Sequence, residues 1–205
     1  MHTNRSVCFV MSDTREYIID QAYSLFLSRS YEAVSISDIS KAIGFTKGAL
    51  YHHFTNKEEL FKAVINKYLP FEKFFVPAKD ITLQQYIEES IKLSNEIVLS
   101  IFGENPKFIP LSYMALLIDA FRHYPEFAKE KDRLLNSELD KIKIVLNNAI
   151  MNGEIRKNIN ADVMAMNFFS LNAGIATSMI QYNSPKKAIE TLREQLYELY
   201  KIMKV

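Results

Sequence analysis

The sequence predicts an all-α protein: a small N-terminal helix-turn-helix head of three short helices, followed by a larger C-terminal helical domain. Three observations predict it. Apolar residues recur at three- and four-residue spacing along most of the chain. Glycine (5) and proline (6) are scarce for 205 residues, which leaves few interruptions of long helices. No apolar–polar alternation runs beyond about four residues, too short for a sheet of ordinary strands.

Ile18, Ala22, Leu25 and Phe26 repeat at helical spacing behind Asp13 or Thr14, both good N-caps, and the pattern fades near Ser30. Ser35 and Asp38 spell a capping box. Ile36, Ile39 and Ile43 then mark the apolar side of a short second helix, which Gly44 ends in the left-handed conformation. Thr46 caps a third helix reaching Phe54, with Leu50 and Phe54 one turn apart on its inner side. Thr55 and Glu58 cap a fourth, from Asn56 towards Leu69, which Pro70 stops. Short helices parted by a glycine turn are helix-turn-helix anatomy.

Beyond Pro70 the helices lengthen. Thr82 and Gln85 form another capping box, opening an amphipathic segment to about Phe102. Pro110 begins an apolar, aromatic region through His123. Pro125 opens a charged amphipathic helix that ends around Asn152, where Gly153 interrupts it. Asn160 caps a helix through about Tyr182. Ser184 and Pro185 open the last one, whose Ile189, Leu192, Leu196, Leu199 and Met203 alternate three- and four-residue steps. The expected division is 1–12 as a disordered or start-site extension, 13–60 as the head and 61–205 as the C-terminal domain.

With 48% hydrophobic and 24% charged residues, the chain has the composition of a soluble globular protein. Cys8 is its sole cysteine, so no disulfide forms and a reducing compartment fits. The apolar run before Met11 is about four residues, short of the roughly 7 to 15 of a secretory signal, and a cytoplasmic location is expected. Met11 is followed by Ser12, Asp13 and a helix start, which predicts Met11 as the natural first residue. A formal net charge of +1 neither argues for a nucleic-acid partner nor excludes one. Local charge says more: no acidic residue lies between Asp38 and Glu58, while Lys41, Lys47, His52, His53 and Lys57 fall inside that window.

The stretch from Gly44 to Leu60 invites several readings. Two adjacent histidines diverge by about 100 degrees on a helix and fall short of the three or four ligands of a zinc site, so no metal is expected. Neither G-x-G-x-x-G nor a P-loop pattern follows a strand, and no cofactor is expected. A core-only helix accounts for Leu50, Phe54 and Leu60 but leaves Lys47, Tyr51 and His52 on the opposite side. A recognition helix explains them, since the major groove of B-form DNA admits one α-helix whose flanks touch phosphates. Gly48 keeps the helix start small, Tyr51 and His52 can reach a phosphate or a thymine methyl, and Lys57 can meet the backbone. A helical enzyme is disfavoured, because no nucleophile, base and orienter are brought together.

Thr14 to Leu60, above all T-R-E-Y-I-I-D-Q-A, S-I-S-D-I-S-K-A-I-G-F-T-K-G-A-L-Y-H-H-F and N-K-E-E-L, resembles the DNA-binding head of the tetracycline-repressor-like (TetR) family of bacterial transcription regulators. The resemblance implies a homodimer that binds a palindromic double-stranded operator and responds to a small molecule in its C-terminal domain, most often as a repressor. It places Ser35, Ser37, Thr46, Lys47, Gly48, Tyr51, His52 and Lys57 at the DNA, with Arg15 near the phosphates at the start of the first helix. Two residues depart from the family pattern. Ser30 stands where glycine is usual, which predicts a left-handed serine at a cost of roughly 1 kcal/mol. Ser37 stands where a basic residue is common, which removes one phosphate partner.

Val163 to Pro185 contains no charged residue. It is long enough to cross a bilayer, yet Asn167, Ser170, Asn172, Thr177, Ser178 and Gln181 interrupt it and no basic flank favours insertion, so no membrane is expected. The alternative is burial on both sides. In the family this helix meets its symmetry mate, and Ala173, Gly174 and Ala176 permit close approach; the last two helices are thus expected to form a four-helix bundle across a two-fold axis. Phe102, Phe108, Tyr113, Leu117 and Phe121, with Phe168, Asn172 and Met179, are candidates for an apolar effector pocket, although most of them are better explained as plain core. A competing reading is a helical ligand-binding or protein-interaction module whose head no longer binds DNA. Eight Lys and Arg against seven Asp and Glu in residues 1–69 lean slightly that way.

Overall fold

A computed structural model describes residues 4–69, 77–78, 80–102 and 110–205, with side chains from Thr14 onward. Ten helices occur among the described residues, in the order α1 (Asn4–Ser28), α2 (Ile36–Ile43), α3 (Lys47–His53), α4 (Lys57–Tyr68), α5 (Leu83–Phe102), α6 (Pro110–His123), α7 (Pro125–Met151), α8 (Ala161–Ala173), α9 (Ile175–Tyr182) and α10 (Pro185–Met203). Among those residues no strand forms, and one isolated bridge joins Ile155 and Lys204.

The chain divides into two compact units, the first comprising Met1–Pro70 with Ser112–Ala128, the second Phe71–Leu111 with Lys129–Val205. The first is larger than the head read from sequence at 13–60. Phe61, Val64 and Ile65 of α4 are wholly buried, so α4 belongs to the core it shares with α1 rather than to a separate domain.

In the first unit α1 begins at Asn4, not at Asp13 or Thr14, so the helix start lies within the stretch read from sequence as a disordered or start-site extension. No glycine or proline occurs between Asn4 and Ser28, and each added residue gains a hydrogen bond for one residue fixed. Ile18, Ala22 and Phe26 of α1 are buried, and Phe26 meets Phe61 edge-on with centroids 5.1 Å apart. Polar contacts close the outer side of the α1–α4 pair. Lys67 Nζ donates to Glu16 and Asp20, Tyr68 Oη donates to Asp20 at 2.6 Å, and Tyr68 stacks on Tyr23.

The turn after α1 also differs from expectation. Asn183 is the only non-glycine with positive φ among the described residues, so Ser30 is not left-handed. Its carbonyl and hydroxyl both accept from the Ala33 N–H, at 3.1 and 3.4 Å, and the expected strain does not arise. Gly44 does adopt the left-handed form, with φ 72, at the end of α2. A Cβ there would meet nothing within 4 Å, so Gly44→Ala tests backbone strain alone. It should lower unfolding free energy by about 1 kcal/mol, read as a fall in the urea midpoint with unchanged slope.

In the second unit α10 packs against α5, α8 and α9 around Ile87, Ile91, Leu146, Phe168, Leu192 and Leu196. The Thr82–Gln85 capping box forms. A second acceptor comes from far along the chain: Glu154 accepts the Leu83 and Gln84 N–H groups at 3.0 Å each, and the Tyr200 hydroxyl at 3.0 Å. A carboxylate is favoured at that end of α5 because the first-turn N–H groups carry the positive end of the helix dipole.

The uncharged run is two helices rather than one, parted at Gly174. Ala165, Phe168 and Met179 face the core, whereas Val163 (51% exposed), Met166 (45%), Ser170, Ala173, Thr177 and Ile180 (40%) form an outward stripe. Their spacing of three, four, three, four and three residues is that of a helix-pairing seam. By length and composition, Ala161–Tyr182 is also apolar enough to cross a membrane.

Candidate nucleic-acid interface

The second and third helices are fixed by local chemistry. The Ser35 hydroxyl accepts the Asp38 N–H at 3.1 Å while the Asp38 carboxylate accepts the Ser35 N–H at 2.9 Å, so the expected capping box is present. At the other end the Phe45 N–H reaches the Ser40 carbonyl at 3.0 Å, and Thr46 caps α3 by accepting the Ala49 N–H at 3.2 Å. Leu50 and Phe54 are then buried and anchor the inner side of α3. Burial of side chains this size stabilises by about 1.5–3 kcal/mol each.

The outer side of α3 is free. Lys47, Gly48, Ala49 and His52 are exposed, and Tyr51 is 50% exposed. At Gly48 an added Cβ would meet only Thr46 Oγ1, at 3.9 Å, so nothing within the protein requires glycine there. Lys41 in the last turn of α2 is exposed as well, and only the acid-free window pointed to it. His52 meets His53 edge-on at 5.6 Å. Burial lowers the His53 pKa, and the neighbouring His52 and Arg15 lower it further. Among the described residues no three His, Cys, Asp or Glu side chains gather as a metal site would need.

Besides Thr46, which caps α3, three of the candidate DNA residues carry internal contacts: Ser35, Arg15 and Lys57. The Ser35 hydroxyl donates to Asp38 as well as capping α2. Those bonds from Ser35, side chain first, hold the Asp38 carboxyl below its ordinary pKa. Ser37 is half-buried. Arg15 lies well inside α1 rather than at its start, and its guanidinium sits 4.7 Å over the Phe54 ring. Lys57 donates from Nζ to the Tyr31 carbonyl at 3.0 Å and lies 4.0 Å over the Tyr31 ring. The cap of α4 is Asn56, not Thr55: Asn56 accepts the Glu59 N–H at 2.8 Å, and Glu59 accepts from the Thr55 N–H and hydroxyl. Asparagine is the stronger N-cap, and Glu59 turns back to Thr55, four residues away, rather than completing a capping box with Asn56.

The effector candidates fall in both units. Tyr113, Leu117 and Phe121 belong to the first. Burial raises the Tyr113 pKa, and Phe121, 46% exposed, rests edge-on against Phe127. Phe102, Phe168, Asn172 and Met179 belong to the second, where Phe168 and Met179 are core residues. Asn172 Oδ1 accepts from the Ser90 and Ser94 hydroxyls at 3.2 and 3.1 Å, a polar cluster that no local sequence pattern announces. Phe108 lies outside the described residues.

Comparison with known proteins gives this arrangement a context. Residues 18–64 match the family model described as bacterial regulatory proteins, tetR family. The chain is 29% identical over 100 residues to the HTH-type transcriptional regulator YwcC of Bacillus subtilis, covering 46% of this chain and 45% of that protein. It is 26% identical over 164 residues to the HTH-type transcriptional regulator SrpR of Pseudomonas putida, covering 80% and 73%. Among solved structures it resembles NalD, the secondary repressor of the MexAB-OprM multidrug efflux pump in Pseudomonas aeruginosa, with a TM-score of 0.63, 19% identity and coverage of 91% and 95%. That likeness establishes the shared fold. The chain spans only about a quarter to a half of the length of YwcC and of two relatives of higher identity.

Proposed function

We propose, from the match of residues 18–64 to the model of the tetR family of bacterial regulatory proteins, that the chain is a member of that family and a homodimeric, cytoplasmic, ligand-responsive transcription regulator. Its expected outcome is repression, as for the pump repressor NalD, whose fold it resembles. The observation that carries the reading is the outer side of α3: Lys47, Gly48, Tyr51 and His52 stand exposed on a helix that Leu50 and Phe54 hold from within. Phosphate contacts from Lys47 and Tyr51 would fix register, and groups reaching base edges would choose sequence.

One such helix covers a half-site. The stripe from Val163 to Ile180 supports pairing of two chains, because a seam of this spacing is completed by a second helix of the same kind about a two-fold axis. Two recognition helices would then enter successive major grooves about 34 to 36 Å apart. An effector that prefers one spacing of the heads changes affinity by that preference alone. The Asn172, Ser90 and Ser94 cluster is the candidate polar handle for it. A second copy fits the stripe better than lipid does, since exposed Asp162, Asn167 and Gln181 accompany it.

Selection of duplexes from a random-sequence pool, followed by a salt titration on the selected site, tests the reading. A palindromic preference is expected, with log affinity falling linearly in log salt at about 0.9 per phosphate neutralised. A folded dimer that prefers no duplex at low salt would instead support the protein-interaction reading, which the near-neutral charge of residues 1–69 favours.

A further inference from the structure

Tyr31 gathers partners from both ends of the first unit. Its N–H donates to Asp119 Oδ2 of α6 at 2.7 Å across 88 residues of sequence, and its carbonyl accepts from Lys57 Nζ of α4 at 3.0 Å. The Lys57 ammonium lies 4.0 Å from the centroid of the ring, and the His123 imidazole stacks on the ring at 4.4 Å. His123 Nε2 in turn lies 3.5 Å from Glu32 Oε1. Asp119 is only 7% exposed. Desolvating a carboxylate is costly unless donors offset it, and a backbone N–H at that distance is a charge-assisted partner.

We propose that Asp119 is a positioning residue for DNA contact: acting through Tyr31, it holds the Lys57 ammonium ready to meet a phosphate. The proposal rests on the reading of the head as a DNA-binding module. An ammonium has three donors, so a bond to the Tyr31 carbonyl leaves others for a phosphate, and Lys57 remains half-exposed. A free lysine loses rotamer freedom when it docks; here that loss is incurred on folding, which is how preorganisation gains affinity. A cation in the first turn of a helix is also disfavoured by the dipole. The Tyr31 carbonyl and ring face offset that and keep Lys57 in place.

A double-mutant cycle tests the proposal, with Asp119→Ala, Lys57→Met and the pair measured on a duplex that the unaltered protein selects from a random pool. Lys57→Met should weaken binding and reduce the salt slope by about one per protomer. Asp119→Ala should weaken binding about fivefold or more when Lys57 is present, but less than about twofold in the Lys57→Met background. Should Asp119→Ala not fold, Asp119→Asn, which retains a neutral acceptor of the same shape, is put through the same cycle and should show the same dependence on Lys57 at smaller size. Equal losses in both backgrounds would overturn the proposal, since Asp119 would then support the head in general. Unchanged affinity in Lys57→Met would overturn it too. Either result leaves the DNA-binding reading standing, whereas failure of the unaltered protein to select any duplex removes both.

Discussion

Alanine at Lys47 or at Tyr51 weakens binding to a selected duplex by about 1–3 kcal/mol each, roughly 5- to 150-fold, while leaving the fold intact. The expectation comes from the two sides of α3. Both side chains are exposed and neither fills the core, so their truncation should change unfolding free energy by no more than about 0.5 kcal/mol. Leu50, on the opposite side, is wholly buried, and Leu50→Ala should lower stability by about 2–5 kcal/mol instead. Filter or fluorescence binding with parallel urea melts separates these outcomes. The two surface changes should differ from each other as well: loss of the Lys47 cation lowers the salt slope, whereas loss of the Tyr51 hydroxyl and ring lowers affinity at every salt concentration. Undiminished affinity in both variants would remove α3 as the recognition surface.

What could be read in advance was whatever neighbours in sequence decide. The box at Ser35 and Asp38, the left-handed Gly44 and the Thr46 cap each involve residues within about one helical turn, and all three form. So do the cap at Asn160 and the Ser184–Pro185 start of α10. Local signals also misled where two neighbouring residues competed. Thr55 and Asn56 are both fair caps, and the stronger one won.

Contacts across long separations left no such trace. Glu154 ends up at the start of α5, Asn172 between Ser90 and Ser94, and Asp119 at the Tyr31 N–H. Each is a polar side chain whose partner is chosen by packing rather than by spacing, and no periodicity encodes it. The internal contacts of Arg15 and Lys57 have the same origin. Sequence placed both cations near DNA by resemblance, while the aromatic rings beneath them, Phe54 and Tyr31, became visible only in three dimensions. The break at Gly174 was legible as a small residue but not as the end of a helix, because its φ of −62 and ψ of −15 stay in the ordinary right-handed region.

Met166→Lys should leave each chain folded and separate the dimer, with the larger loss of DNA affinity of the two changes argued here. Met166 is 45% exposed in the single chain, so a lysine there costs the isolated fold little. In a two-fold interface the substitution occurs twice, and a charge must be desolvated on each side of the seam without a partner. Ala173, one heptad further along, is the matched second site, and Ala173→Lys should act in the same direction. Linked half-sites gain about 10²- to 10⁴-fold in affinity from effective concentration, and a monomer forfeits that gain while each recognition helix stays whole. Sedimentation should therefore report a single chain of 23.8 kDa, and binding should fall to that of one half-site. A dimer that persists in both variants would place the two-fold axis elsewhere. A monomer that keeps full affinity would mean that one head alone is the binding unit.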